Sequence, residues 1–200
     1  MPESPVTSVY KIAGQAIADV ISGSPVPEDP IHAENTVKWV VSLFPEADDM
    51  LLVAALGHDI ERAVRARRVH KSDYTSFDDF KAAHALNSAD ILADLLGTLG
   101  IKEDFIRETH RLVKLHETGG DDRSDLLKDA DSLSFFQVNL PFYLERNGVE
   151  RTVFRAKWGY RRLSPAHREK IHSFQYEDPR IDRLLRDITR IRDGHGSLTR

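Results

Sequence analysis

Histidines and carboxylates stand in this chain at positions where a helical core would otherwise be apolar. The stretch Ala54-Ala55-Leu56-Gly57-His58-Asp59-Ile60-Glu61-Arg62 runs an apolar segment straight into His58 and Asp59. His32 shares a helical face with Trp39, Val40 and Leu43, at offsets of seven, eight and eleven residues. His84 has Ser88, Ile91 and Leu95 at plus four, seven and eleven; His116 follows Leu112 and Val113; Asp131 lies between Leu127 and Phe135, at minus and plus four. All of these side chains are expected to point inward. One inward histidine is most simply a core residue bonded to a backbone carbonyl. Four such residues together with His58-Asp59 form a pattern. A buried ionised carboxylate is costly unless it is paired or bound to a cation, and no single Lys or Arg lies at helical contact spacing to all these groups. A divalent metal would satisfy them together. Nitrogen and oxygen donors without sulfur suit Fe, Mn, Co, Ni or Zn better than Ca.

The His58-Asp59 pair also has a plain reading. Gly57 would stop the helix, His58 would sit at the negative end of its dipole, and Asp59 would cap the next turn with Arg62 as an ion-pair partner three residues on. Spacing alone leaves the two readings level. Adjacent residues lie about 100° apart around a helix, so both reach one ion only where the helix ends. Gly57 offers such an end.

The elements that must position these groups are helical. Apolar residues recur at helical spacing almost everywhere, with no sustained alternation of the kind a strand needs. The expected fold is all-α, a single compact helical domain over residues 1–200 with about eight or nine helices. Expected helices run from Val6 to Ile21, Ile31 to Phe44, Ala47 to about Gly57, Phe77 to Leu96 and Glu103 to His116. Another opens at Ser124 and is ended or kinked at Pro141; three shorter ones occupy Gly148 to Leu163, Pro165 to Phe174 and Pro179 to Arg192. The metal-binding core falls at about 31–140 and the C-terminal helices at about 148–193, while residues 194–200 are expected to fray. A polar connector from Arg67 to Ser76, with Lys71-Ser72-Asp73-Tyr74, is a candidate rim of the pocket.

Composition excludes several classes of function. With Lys+Arg 28 against Asp+Glu 32 the net charge is -4, so a dedicated nucleic-acid partner is not expected. The absence of cysteine removes disulfides, zinc-thiolate sites and thiol nucleophiles, and the nine histidines keep a metal site open. MPESPVTSVY lacks the pattern of a secretory leader, and the longest plainly apolar run, Met50 to Leu56, falls far short of the roughly 20 residues that span a bilayer. The expectation is a soluble cytoplasmic protein with no membrane partner. Oligomeric state is left open.

His32, His58-Asp59, His84, His116 and Asp131, the last within Asp129-Ala130-Asp131-Ser132-Leu133, together resemble the H, HD, H, H, D succession of the HD-domain superfamily of metal-dependent phosphohydrolases. The resemblance spans roughly Ile31 to Leu140. It implies that His32, His58, Asp59 and Asp131 hold one metal, and that His84 and His116 match the further histidines that bring in a second, with Asp59 bridging and catalytic. One or two divalent ions are implied, from among Mn, Fe, Co, Ni, Zn and Mg. Arg62 occupies a place where many members carry a basic residue near the substrate phosphate, so it joins Asp59 as a catalytic candidate. The implied partner is a small phosphorylated molecule, a nucleotide or other metabolite. Ala63 and Val64 follow Arg62, so the HDxxED arrangement of the guanosine tetraphosphate hydrolases is missing. Members with the same six ligands also include di-iron oxygenases, and a non-catalytic sensing or interaction domain of this fold is a third reading.

Further candidates lie outside the six. Lys157, Arg161 and Arg162 form the densest basic cluster, with Trp158 and Tyr160 interleaved; Arg161 and Arg162 are candidate phosphate contacts, although a solvated helix face with its aromatics in the core is the preferred reading. Asp129, two residues from Asp131, is the rival for the last ligand position. His110, His70, His167, His172 and His195 are read as surface or structural.

Overall fold

Capping side chains and prolines set where the helices of this chain begin. The computed structural model describes residues 8–189. Among them nine α-helices run in the order α1 (Ser8–Ile21), α2 (Asp29–Leu43), α3 (Asp49–Gly57), α4 (Phe77–Thr98), α5 (Glu103–Leu115), α6 (Asp122–Ser134), α7 (Leu140–Arg162), α8 (Pro165–Arg168) and α9 (Pro179–Thr189), with no strand. The Asp48 carboxylate accepts from the Leu51 amide at the start of α3, the Ser76 hydroxyl from the Asp79 amide at the start of α4, and Asp121 closes a capping box with Ser124 at α6. Pro30, Pro141 and Pro165 stand in first turns, where no amide donor is missed. The all-helical expectation therefore holds. The expected residues Val6 and Arg192, with His195 and the tail, lie outside the described residues.

Apolar faces of α1 to α6 close one core, in which Ile17, Val40, Leu51, Val53, Leu92, Leu96, Leu112 and Leu127 are buried. A second core collects Leu133, Phe136, Leu140, Leu163, Ile171, Ile181 and Leu185 from α6 onward. Trp39 and Leu43, half-buried on α2, pack against both. Thus α2 and α6, which lie against each other, link the two.

Three local features depart from the expectation. Proline 141 does not end a helix: after a π-turn over Phe135–Asn139, α7 restarts with Pro141 in its first turn. The break comes later, at Gly148, whose φ of 73° interrupts α7 and makes the segment after it the separate helix expected from Gly148 on. Gly57 is the third. It has no left-handed backbone, and the residue after it, His58, is still near helical at φ -59° and ψ -30°. The glycine is needed for space: a Cβ there would meet Leu92 Cδ2 at 2.8 Å and Cδ1 at 3.0 Å, because the Leu92 side chain of α4 fills the space beside it.

A helix interior normally gains about 1 kcal/mol when Gly becomes Ala. At this position overpacking against fully buried Leu92 reverses the sign. Gly57→Ala is expected to destabilise the protein by about 1–3 kcal/mol in urea unfolding, and a stabilised variant would show that α3 and α4 have room to part.

Candidate metal centre

Each histidine of the cluster is aimed by its far nitrogen. His58 follows the last residue of α3, and its Nδ1 donates to the Ala55 carbonyl at 2.8 Å; His116 follows the last residue of α5, and its Nδ1 donates to the Val113 carbonyl at 2.6 Å. Both reach back three residues to carbonyls of the final helical turn, where backbone acceptors are in surplus. A carbonyl only accepts, so Nδ1 carries a proton and, in the neutral ring, the Nε2 lone pair faces inward. His84, midway along the first half of α4, places Nδ1 2.9 Å from Glu61 Oε1 and Nε2 2.7 Å from Asp59 Oδ1. His32, in the first turns of α2, places Nδ1 2.8 Å from Ser134 Oγ, and the same hydroxyl donates to the His32 carbonyl at 3.1 Å.

The inward atoms converge. His32 Nε2 and His58 Nε2 are 3.2 Å apart, and Asp131 Oδ1 lies 3.2 and 3.4 Å from them. Asp59 Oδ2 is 3.7 Å from His32 Nε2 and 3.6 Å from His58 Nε2. His58 and His116 meet edge to face with ring centres 5.1 Å apart, and His84 and His116 at 5.8 Å. All six of these residues are buried. Asp59 Oδ2 and His116 Nε2 are buried without a hydrogen bond; Arg62 Nη2 stands 2.9 Å from Asp59 Oδ2 as an ion pair, out of hydrogen-bond alignment. His32, His58 and Asp59, then Asp59, His84 and His116, then His116, Glu117 and Asp131 each gather ligand atoms within 4.8 Å of one another. These groups could hold a metal ion. The donor set fits a cation, since lone pairs aimed at carboxylate oxygens repel one another unless positive charge lies between them.

Cations already surround the cluster. Arg62 pairs with Asp29 at 3.0 Å as well as with Asp59; Arg162 pairs with Asp131 at 2.9 Å and with Glu117 at 2.9 Å; Lys81 pairs with Glu117. Burial alone would raise Asp59 and Asp131, but Arg62 and His58 hold Asp59, and Arg162 holds Asp131, well below the usual carboxylate range. Burial keeps His116 low. For His58 the burial effect is outweighed by the charges of Asp59 and Asp131, which push it up to about 9.

The plain reading of the His58-Asp59 stretch holds for the Asp59–Arg62 ion pair and is corrected for the cap: Asp59 makes no capping hydrogen bond to the turn after it, and its other oxygen meets His84. The preference for a solvated face at Arg161 and Arg162 splits. Arg161 is exposed, whereas Arg162 is 8% exposed, donates to the carbonyls of His116 and Glu117, and faces Asp131. Asp129 is buried outside the cluster, accepting from the Ser164 amide at 2.9 Å and lying 2.6 Å from His167 Nδ1. His110 faces Asp90 at 2.8 Å, while His70 and His172 are exposed.

Sequence reasoning missed Asp29, Glu61, Lys81 and Glu117. Glu61 and Glu117 each sit within three residues of a ligand candidate in an otherwise inward-facing stretch, which was a usable signal. Asp29 lies just before the second expected helix, where an acidic residue is ordinary, and Lys81 lies three residues before His84 with nothing local to mark its burial.

Residues 15–184 match a protein family described as a domain of unknown function (DUF4202), and the chain belongs to that family. No curated protein and no solved structure matches it significantly.

The raised His58 pKa has a sign. With a folded value near 9 against 6.5 ordinarily, the charged imidazole adds stability that is complete below pH 6.5 and is lost as pH rises through 9. In chelator-treated protein, the stability difference between wild type and His58→Gln is expected to narrow between pH 6.5 and pH 9. A difference constant across that window in thermal unfolding would mean that His58 carries no proton in the metal-free state.

Proposed function

We propose that this member of the DUF4202 family is a metal-dependent phosphohydrolase of the HD-domain type, acting on a small phosphorylated molecule. The observation that carries the reading is the convergence of the His32, His58, His84 and His116 Nε2 atoms on the carboxylates of Asp59 and Asp131, inside a wall of guanidinium groups. The proposed ligand set is those six residues, arranged for two divalent ions. Asp59 belongs to both positions, with Oδ1 toward His84 and Oδ2 toward His32 and His58. Ions held there supply an acidified water and screen the charge of a phosphoryl group.

The chain's own residues do the rest. Asp59, shared by the two groups of candidate ligands, would accept a hydrogen bond from the attacking water and orient it. Arg62, 25% exposed and braced by Asp29 and Asp59, is the guanidinium with access from outside, so it takes a phosphoryl oxygen as charge develops. Arg162 is a positioning residue: its two nitrogens hold Asp131 and Glu117, leaving Asp131 Oδ1 to face His32 and His58. Glu61 and the Ala55 and Val113 carbonyls fix the rings of His84, His58 and His116. Among the described residues no helix is long and apolar enough to cross a membrane.

Elemental analysis of protein purified without chelator is expected to find a divalent metal, and a panel of nucleotides, sugar phosphates and phosphodiesters to include a substrate whose phosphate release needs it. Asp59→Asn and Asp131→Ala should lose metal and lower kcat/KM by at least about 1000-fold, on the order of 4 kcal/mol. Arg62→Ala should keep the metal and lose roughly 10- to 100-fold. Wild-type metal content and activity in Asp131→Ala would sink the scheme. Iron with substrate-dependent oxygen uptake would replace it by a di-iron oxygenase, and protein with no bound metal by a sensing domain.

A further inference from the structure

Among the described residues, the cations beside the candidate metal centre are paired with carboxylates, with one exception. Arg62 has Asp29 and Asp59, Lys81 has Glu117, and Arg162 has Asp131 and Glu117. Arg155, on α7 beyond the Gly148 break, is 9% exposed, and among the described residues it makes no ion pair and no hydrogen bond; its Nη1 is buried with no partner. What surrounds it is aromatic. Its guanidinium carbon lies 4.1 Å from the ring centre of Phe135 and 4.7 Å from that of Trp158. Burial, reinforced by the charge of Arg162 and opposed by the charges of Glu117 and Asp131, neither within ion-pair distance, pushes Arg155 down to about 10. Cation–π contact offsets only part of such a desolvation, so a directly bonded anion is the partner this guanidinium lacks.

Arg155 also borders a cleft. With Lys71, Phe77, Tyr143, Asn147 and Phe154 it lines a cleft of about 720 Å³, within the size range of small-molecule sites. Glu150 and Arg151 also border it, so the cleft has more positive than negative charge. Phe154 is 55% exposed, and Phe77 meets it edge to face at 5.6 Å with Lys71 Nζ above the Phe77 ring at 5.3 Å. An exposed phenyl ring among cations suits a ligand that is anionic at one end and flat and unsaturated at the other. The cleft also communicates with the metal centre. Arg155 and Arg162 both stack on the Trp158 indole, at 4.7 and 4.6 Å, and Arg162 holds Asp131.

We propose that this cleft binds an organic phosphate whose body carries a planar unsaturated ring, with a phosphate oxygen on Arg155 and the ring against Phe154 and Phe77. The choice of phosphate rests on the phosphohydrolase reading; the anion site on Arg155 does not. Seated there, such a ligand lies one indole ring away from Arg162 and the candidate ligands.

The test uses full-length, chelator-treated protein, so that binding is read without turnover. Titration with phenyl phosphate is expected to change Trp158 emission saturably, and calorimetry to give the same affinity; Trp158→Phe should lose the optical signal. Inorganic phosphate should bind at least tenfold more weakly than phenyl phosphate. Arg155→Met should weaken phenyl phosphate at least tenfold, with Arg155→Lys recovering part of the loss. Phe154→Ala, at an exposed position that leaves the fold intact, should bring the affinity close to that of inorganic phosphate. Unchanged affinity in Arg155→Met and Phe154→Ala would overturn the proposal, as would binding seen only after metal is restored. Benzoate binding as tightly as phenyl phosphate would overturn the choice of phosphate. Hydrolysis by the metal centre is judged separately, by Asp131→Ala, so either reading can fail without the other.

Discussion

Lone pairs aimed at negative charge inside a helical core are the constraint on which this structure depends. His58 and His116 spend their only neutral-state proton on the Ala55 and Val113 carbonyls, and so turn bare nitrogens toward Asp59, Asp131 and Glu117. In water such contacts would be screened; at near-complete burial they require positive charge nearby. Asp59, Asp131 and Glu117 each have a guanidinium or ammonium group beside them, yet Asp59 Oδ2, His116 Nε2 and both Glu117 carboxylate oxygens remain without a hydrogen bond. An ordinary buried polar network satisfies its members. This one leaves several open, as a candidate cation site would.

The helices solve a supply problem at the same time. A helix leaves its last carbonyls unpaired, and α3 and α5 both end with a histidine that takes one of them. The ending of the helix and the aiming of the ring are one event. His84 does not terminate α4, so it has no such carbonyl within reach, and Glu61 supplies the acceptor from the turn after Asp59. The same turn carries Arg62 to Asp29, closing the cluster against the start of α2.

Sequence periodicity made the all-helical fold and the inward positions of His32, His84, His116 and Asp131 legible, because apolar neighbours at helical spacing report burial directly. The meaning of Gly57 was half legible: α3 does end there, as a glycine before a histidine and an aspartate suggests, but only the packing of Leu92 from a distant segment shows the glycine as a contact. Arg162 was misjudged for a related reason. Basic residues at the end of a helix are usually solvated, and the buried acids that draw this one inward, Glu117 and Asp131, lie 45 and 31 positions away. Arg155 escaped notice because nothing in its surrounding sequence marks a cation without a counter-charge. Long-range pairing, and its absence, is invisible to local pattern.

Gly57 sits one residue before His58 on α3, and Leu92, which occupies the space of its missing side chain, sits two helical turns after His84 on α4. That contact ties the turn carrying His58 and Asp59 to the helix carrying His84. A residue with no polar atom and no chemistry of its own thereby belongs to the packing that holds the candidate ligands in place.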